Sequence, residues 1–307
     1  MARNNLFLGK ARGKIGDVVL SQLDGKQVAR ARNRSPKNPK TNKQMYQRAI
    51  MASVMLMYSA GKMIFDHSFE GKTVKFGAMR RFMSVNAKKL RAAVLSDIET
   101  GVSTARVVSP GAVAPCPWEF RVSEGTYGKG VYSVVPAASA VNGPSLDHDL
   151  DGGDLVKDCY RLGDIYTVLV MYIDGTRGNA SSLVSPPAKF GFVRLEVVSL
   201  PENMTVENAT YGDIFDIKYS NLKSGSILAE DSIEKLPYCK DLIPVGTYPA
   251  AMAVIRSRED SGLRSTAGFV CNTGLDWGIA SGNILDVWNA DVKSLGDSDL
   301  ILEGGAI

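Results

Sequence analysis

Gly16-Asp17-Val18-Val19-Leu20-Ser21-Gln22-Leu23-Asp24-Gly25-Lys26-Gln27-Val28-Ala29-Arg30 is a pair of strand-like runs around an Asp-Gly step. A type I′ turn needs positive φ at both central positions, and Asp-Gly between alternating runs meets that need. The stretch therefore predicts a β-hairpin. Side chains alternate across a strand with period two, so Val28, Arg30 and Arg32 align on one face of the second strand. Beyond it, Asn33-Arg34-Ser35-Pro36-Lys37-Asn38-Pro39-Lys40 is basic and extended, because two prolines bar helix.

Working outward, Thr41-Asn42-Lys43-Gln44 has the spacing of a capping box and predicts a helix from about 42 to 65. Tyr46, Ala49, Ile50, Val54, Met57 and Ile64 fall near one face of it. Met51, Met55 and Leu56 widen the apolar arc to nearly the whole circumference. Such a helix is buried or lies at a subunit interface, and Met51 and Met55 are the expected contacts between copies. A second helix is predicted from about 76 to 98, with Met79, Phe82, Met83, Leu90, Ala93 and Val94 as its stripe and Thr100-Gly101 as its end.

After the prolines of Ser109-Pro110 and Pro115-Cys116-Pro117 the character changes. Short β-type runs follow at 120–122, 130–135, 165–173, 190–200, 214–219, 250–255, 268–271 and 284–288, separated by Gly, Pro, Asn and Asp clusters. Residues 254–257 and 264–267 bracket a further hairpin. The expected fold class is α+β. A basic module at 1–100, an N-terminal β-hairpin plus two helices, precedes a mainly antiparallel β domain at 101–307, a sandwich or barrel.

Charge divides the chain the same way. Residues 1–50 carry 12 Lys/Arg against Asp17 and Asp24. Residues 1–100 carry 20 basic residues against six acidic ones, while the remaining 207 carry 16 against 26. Arg3, Lys10, Arg12, Lys14, Lys26, Arg30, Arg32, Arg34, Lys37 and Lys40 could each neutralise a phosphate and release a counterion. Only Phe7 is aromatic before Tyr46, which favours backbone contact over base stacking. The alternative is a solvated basic surface, or a leader that packs on the chain's own acidic body.

Asp147-His148-Asp149-Leu150-Asp151-Gly152-Gly153-Asp154 follows the start of an EF-hand-type loop, with Asp158 where the bidentate Glu normally sits. Asp154 replaces the usual apolar residue and no helix pattern enters the loop. The stretch reads either as an acidic surface loop or as a Ca²⁺ site formed by Asp147, Asp149, Asp151 and Asp158. Four cysteines lie tens of residues apart, and His67 and His148 are near none of them, so free thiols are expected rather than zinc ligands. Gly125-Thr126-Tyr127-Gly128-Lys129-Gly130 fits neither a P-loop nor a dinucleotide pattern, and no catalytic constellation appears; the expectation is a protein that is not an enzyme. No apolar run reaches membrane-spanning length, and Leu6-Phe7-Leu8 is too short for a signal peptide, so a life inside the cell without membrane contact is expected.

Gly13-Lys14-Ile15-Gly16-Asp17-Val18-Val19, then Gly25-Lys26-Gln27-Val28, Arg30, Asn38-Pro39-Lys40-Thr41, Gln44 and Gln47-Arg48 resemble a family of uncharacterised proteins from gut Bacteroidota and their mobile elements and phages. The shared pattern is a "G-K-x-G" start, a "G-K-Q-V" turn and an "N-P-x-T-x-x-Q" helix start, followed by a β-rich part. The resemblance covers about the first 50 residues well and the rest loosely. It implies a hairpin-helix module on a β domain, and through the phage association a virion setting. The expected function is a structural, capsid-type protein of a small phage or virus-like element, assembled in the bacterial cytoplasm. Its basic module would contact nucleic acid and its β domain would self-associate into a shell. The alternatives are a cellular, sequence-nonspecific nucleic-acid-binding protein of the bacterial cytoplasm and a β-sandwich surface or lattice protein.

Overall fold

The computed structural model describes residues 13–23, 26–33, 57–73, 76–99, 120–137, 141–173, 188–220 and 225–272, with positions 47, 50, 51, 54, 55, 139, 222 and 223 between them. Two compact units divide after Thr41, one spanning Met1–Thr41 and the other Asn42–Ile307.

In the first unit the hairpin gains a strand. β1 (Gly13–Ile15), β2 (Val18–Leu23) and β3 (Lys26–Ala31) form an antiparallel sheet in the order β1-β2-β3. Gly16 and Asp17, read from sequence as the opening of a strand, instead make the turn between β1 and β2. Gly16 sits at φ +55, a left-handed conformation that a side chain would strain. The Asp17 carbonyl then accepts from the Arg32 N–H at 2.6 Å, fastening the far end of β3 to that turn. β2 and β3 pair up to Leu23 and Lys26, as a two-residue connection requires; Asp24 and Gly25 themselves lie outside the described residues.

The second unit, the body, is built on one antiparallel sheet. Its strands are β7 (Asp164–Ile173), β8 (Ala188–Val197), β9 (Phe215–Ser220), β10 (Tyr248–Arg258) and β11 (Leu263–Arg264), ordered β11-β10-β7-β8-β9, with β13 (Val270–Cys271) also paired to β10. Period-two alternation sends the two sides of each strand into different cores. Leu169, Met171, Phe190, Phe192, Ala251, Ala253 and Ile255 enter one core. Val168, Val170, Tyr172, Val193, Leu195, Val197, Met252 and Val254 enter the other. Among the described residues the sheet is open, and each face has its own cover.

The first core is closed by helices. Described positions from 47 to 60 are helical, followed by the helical turn Lys62–Phe65 and the long helix Phe76–Glu99. Ile50, Val54, Met57 and Tyr58 are buried at helical spacing, and Ala78, Phe82, Asn86 and Leu90 form a row four residues apart on the long helix. Phe82 is the hub of this layer. It stacks on Phe65 at 4.8 Å and meets Tyr58 edge-on at 5.4 Å, with Phe69 and Phe120 at 6.3 and 6.2 Å. The sequence assigned these helices to a module separate from the β domain; they share a core with its sheet, because the aromatic rings they bury have the sheet's alanines as their floor.

The second core is covered by the small hairpin β5 (Tyr132–Val135) and β6 (Ser145–His148), and by helical turns at Val156–Cys159, Tyr211–Ile214 and Cys239–Leu242. Tyr132, Tyr160, Tyr166 and Phe215 make edge-on ring contacts there at 5.1–6.5 Å. Strands β4 (Arg121–Ser123) and β12 (Ala267–Gly268) pair separately. Beside them Asn86, buried in an otherwise apolar stripe, behaves as a strand edge: its amide donates to the Arg121 carbonyl at 2.8 Å and its Oδ1 accepts the Arg121 N–H at 2.9 Å. Among the described residues no helix is long and apolar enough to cross a membrane.

Candidate nucleic-acid interface

The register of the three-stranded sheet sorts its side chains by sign. Lys14 lies opposite Val19, and Val19 opposite Arg30. Residues directly opposed share a face, so Lys14, Val19, Ser21, Val28 and Arg30 form one side of the sheet. Lys26 takes a register position on the same side, opposite Leu23. Arg32 follows Arg30 two residues on, beyond the end of β3. The other side carries Ile15, Val18, Leu20, Ala29 and Ala31, with no charge. Lys14, Arg30 and Arg32 are all exposed.

The whole unit from Met1 to Thr41 contains ten Lys/Arg and two acids, Asp17 in the turn between β1 and β2 and Asp24 outside the described residues. Among the described residues, no acid occupies a paired strand position on the face of Lys14 and Arg30. Register places Lys14 on the face of Arg30, a partner hidden from a sequence reading in which Gly16-Asp17 open a strand; the expected alignment of Arg32 with Arg30 falls beyond the paired residues. The Gly-Asp step was the available signal. Arg3, Lys10, Arg12, Arg34, Lys37 and Lys40 lie outside the described residues.

In the body, the acids proposed for Ca²⁺ are distributed over three elements. Asp147 belongs to β6, paired with Ser133, and its carboxylate accepts the His148 N–H at 2.9 Å. Asp149 and Asp151 follow in the loop, and Asp158 lies in the turn Val156–Cys159. Asp154 closes the loop on itself by accepting the Asp151 N–H at 2.9 Å. Among the described residues no group of three or more His, Cys, Asp or Glu is placed to hold a metal ion. The pairing of β6 with β5 takes the first of these acids out of a loop and into a strand. Met51 and Met55 are half-buried, flanking the buried row Ile50, Val54 and Met57. Cys159 and Cys239 are free thiols; burial pushes the Cys239 thiol well up.

Two polar clusters in the body escaped the sequence reading. Asp164, fully buried at the start of β7, receives Arg256 Nε at 2.7 Å, a second bond from Arg256 Nη2, and the Tyr127 hydroxyl at 2.6 Å. The guanidinium lies over the Tyr127 ring at 4.3 Å. Burial pushes the neighbouring Tyr166 hydroxyl up to about 12. Every carboxylate oxygen of Asp164 has a donor, so the cluster clamps β7 to β10 and to the 127 loop. The second cluster is at Glu70, which accepts the Thr126 N–H at 2.9 Å, the Thr126 hydroxyl at 2.8 Å and the Arg264 N–H at 3.1 Å. Those bonds hold its carboxyl below the usual range. Arg264 Nε donates to the His67 carbonyl at 2.8 Å, so His67 contributes its backbone to this knot. Both clusters join residues far apart in sequence, and only register reveals them.

A scan against protein-family models finds no match, and searches of the curated proteins and of the solved structures find no similar protein.

Proposed function

We propose that this chain is a structural protein that contacts nucleic acid through its N-terminal sheet, of the capsid or virion type. The observation that carries the nucleic-acid reading is the single-signed face of that sheet: Lys14, Arg30 and the register position of Lys26 on one side, without an acid among them. An exposed cation such as Lys14 or Arg30 gains from a phosphate that releases its counterion. Self-association is supported by Met51 and Met55, half-buried beside a filled core on a helix whose adjoining row, Ile50, Val54 and Met57, is already satisfied within the chain. The phage setting rests on the resemblance of residues 13–48. A second reading, a cellular nonspecific nucleic-acid binder, is favoured by the division after Thr41, which makes the basic unit separable.

Light scattering and salt-series binding on the full chain test the proposal together. Large closed particles or multimers, with binding that weakens steeply as salt rises, are expected. Charge reversal of Lys14, Arg30 and Arg32 together should flatten the salt slope by about 0.9 per lost phosphate contact. Met51→Glu with Met55→Glu should lower the mass while leaving the fold. A monomer whose binding ignores both salt and the reversals refutes the reading; a small, salt-sensitive binder selects the cellular alternative.

A further inference from the structure

The basic face is organised across the strands as well as by sign. Its cations sit on the two outer strands, Lys14 on β1 and Arg30 on β3, with Lys26 in register there too. The centre strand presents Val19 and Ser21 on that face and no charge. Neighbouring strands lie about 4.7–4.9 Å apart, so the two cationic edges are separated by about 10 Å at the backbone. Residues 13–33 contain no Phe, Tyr, Trp or His.

Each feature discriminates among nucleic acids. Single strands are held by a basic track with aromatic rings on which bases stack, and this sheet has no ring. A duplex instead offers two phosphate rails with a groove between. The B-form major groove, about 12 Å wide, admits β structure, and cations about 10 Å apart with short uncharged side chains between them fit its two walls and floor. The A-form major groove is deep and narrow, closed to such a face. Val19, Val28 and Ser21 supply no long bidentate reader of base edges, so shape and backbone would be recognised rather than sequence.

We propose that the ligand of this sheet is B-form duplex DNA, bridged across one major groove by Lys14 on one outer strand and Arg30 on the other. The inference rests on the nucleic-acid reading above and narrows it. The full chain is titrated by fluorescence anisotropy against a mixed-sequence DNA duplex of about 20 base pairs, two helical turns, against single-stranded DNA of equal length and against the same duplex in RNA. Duplex DNA should bind most tightly at every salt concentration. Lys14→Glu and Arg30→Glu should each make the slope of log affinity against log salt shallower by about 0.9, and Arg30→Lys should restore it. Ser21→Lys places a cation over the groove floor, away from both rails, and should leave the slope unchanged. Equal or tighter binding of single strands or of duplex RNA overturns the duplex-DNA inference while the broader reading stands. A slope steepened by Ser21→Lys overturns the two-rail geometry. No binding to any of the three at low salt overturns both. All four substitutions fall on exposed or half-buried surface, and unchanged far-UV circular dichroism and melting identify a folded variant.

Discussion

The sheet of the body and the sheet of the N-terminal unit are both antiparallel and both alternate, yet Val168 is wholly buried in one while Val18 is 41% exposed in the other. In the body each face of β7 and β10 meets a core, and the charged residues of the pair, Asp164, Arg256 and Arg258, gather at one end of it. In the N-terminal unit Ile15, Val18 and Val28 remain exposed, on both sides of the sheet. A small sheet with exposed apolar side chains is marginal in water, and those side chains gain little from one another. On the proposed reading, what selects its residues is the nucleic acid it meets. The body explains its own sequence through packing, whereas the described residues of the N-terminal sheet keep apolar side chains exposed.

The largest effect that can test this contrast is expected at the buried clamp. Asp164→Asn removes the charge that faces Arg256 and leaves a guanidinium buried without its counter-ion, a loss of about 3–5 kcal/mol. Thermal melting of the full chain should report it, while the salt slope of nucleic-acid binding stays as in the parent. A variant that melts normally would mean that solvent reaches the pair, and one that changes the slope would tie the clamp to binding.

A smaller loss is expected at Asn86. Asn86→Ala strips two hydrogen bonds from the backbone of Arg121 and leaves that strand edge partly unpaired, at a cost of about 1–3 kcal/mol. Asn86→Leu should do no better despite its larger apolar area, because the missing group is polar. Denaturant melts of the two variants decide; a stable Leu variant would show that packing, not pairing, governs the position.

Acid should act on the body through its carboxylates. Glu70 is held below its ordinary value by the Thr126 and Arg264 N–H groups, and Glu124 by its hydrogen bond from Arg81. A carboxylate with a depressed folded pKa binds its proton more readily in the unfolded chain. Its contribution is therefore fully present above the unfolded value, about 4.3, and is lost as pH falls through the lower folded value. Melting temperature should be flat with respect to these groups near neutrality and fall below about pH 4. Glu70→Gln should shrink that fall, and an unchanged acid profile in this variant would remove Glu70 from the account.

Much of this architecture is legible in the chain because it depends on local pattern. The long helix was readable from Met79, Phe82, Met83 and Leu90, and its observed span, Phe76–Glu99, starts where the pattern puts it. The runs that became β7 through β10 were visible as apolar stretches. Less visible was anything set by pairing between distant segments. Asp164 and Arg256 look like the polar ends of strands until register sets Tyr166 beside Arg256. Asn86 looks like a blemish in an apolar stripe until Arg121 is placed next to it. Asp147 and His148 matched the opening of a metal loop because spacing alone does not reveal a strand partner such as β5. At the N-terminus the signs of the charges were plain, but their arrangement on two outer strands needed the turn at Gly16-Asp17.

The smallest effect is the most direct comparison of the two sheets. Val→Thr keeps the shape of the side chain and exchanges a methyl for a hydroxyl, so its cost reports whether water can reach the site. At Val168, with no exposure, the hydroxyl would be buried among Val193, Leu195 and Val170, and about 1–3 kcal/mol should be lost. At Val18 the hydroxyl stays hydrated, and the change should remain within about 0.5 kcal/mol. Melting cannot follow the N-terminal sheet if the body dominates the signal, so amide hydrogen exchange at Leu20 and Ala29, which pair across β2 and β3, supplies the local reading. Protection there should be low in the parent and unchanged in Val18→Thr, and should rise when duplex DNA is added. Strong protection in the free protein, lost in Val18→Thr, would mean that the apolar face is covered after all, and the contrast between the two sheets would be one of degree.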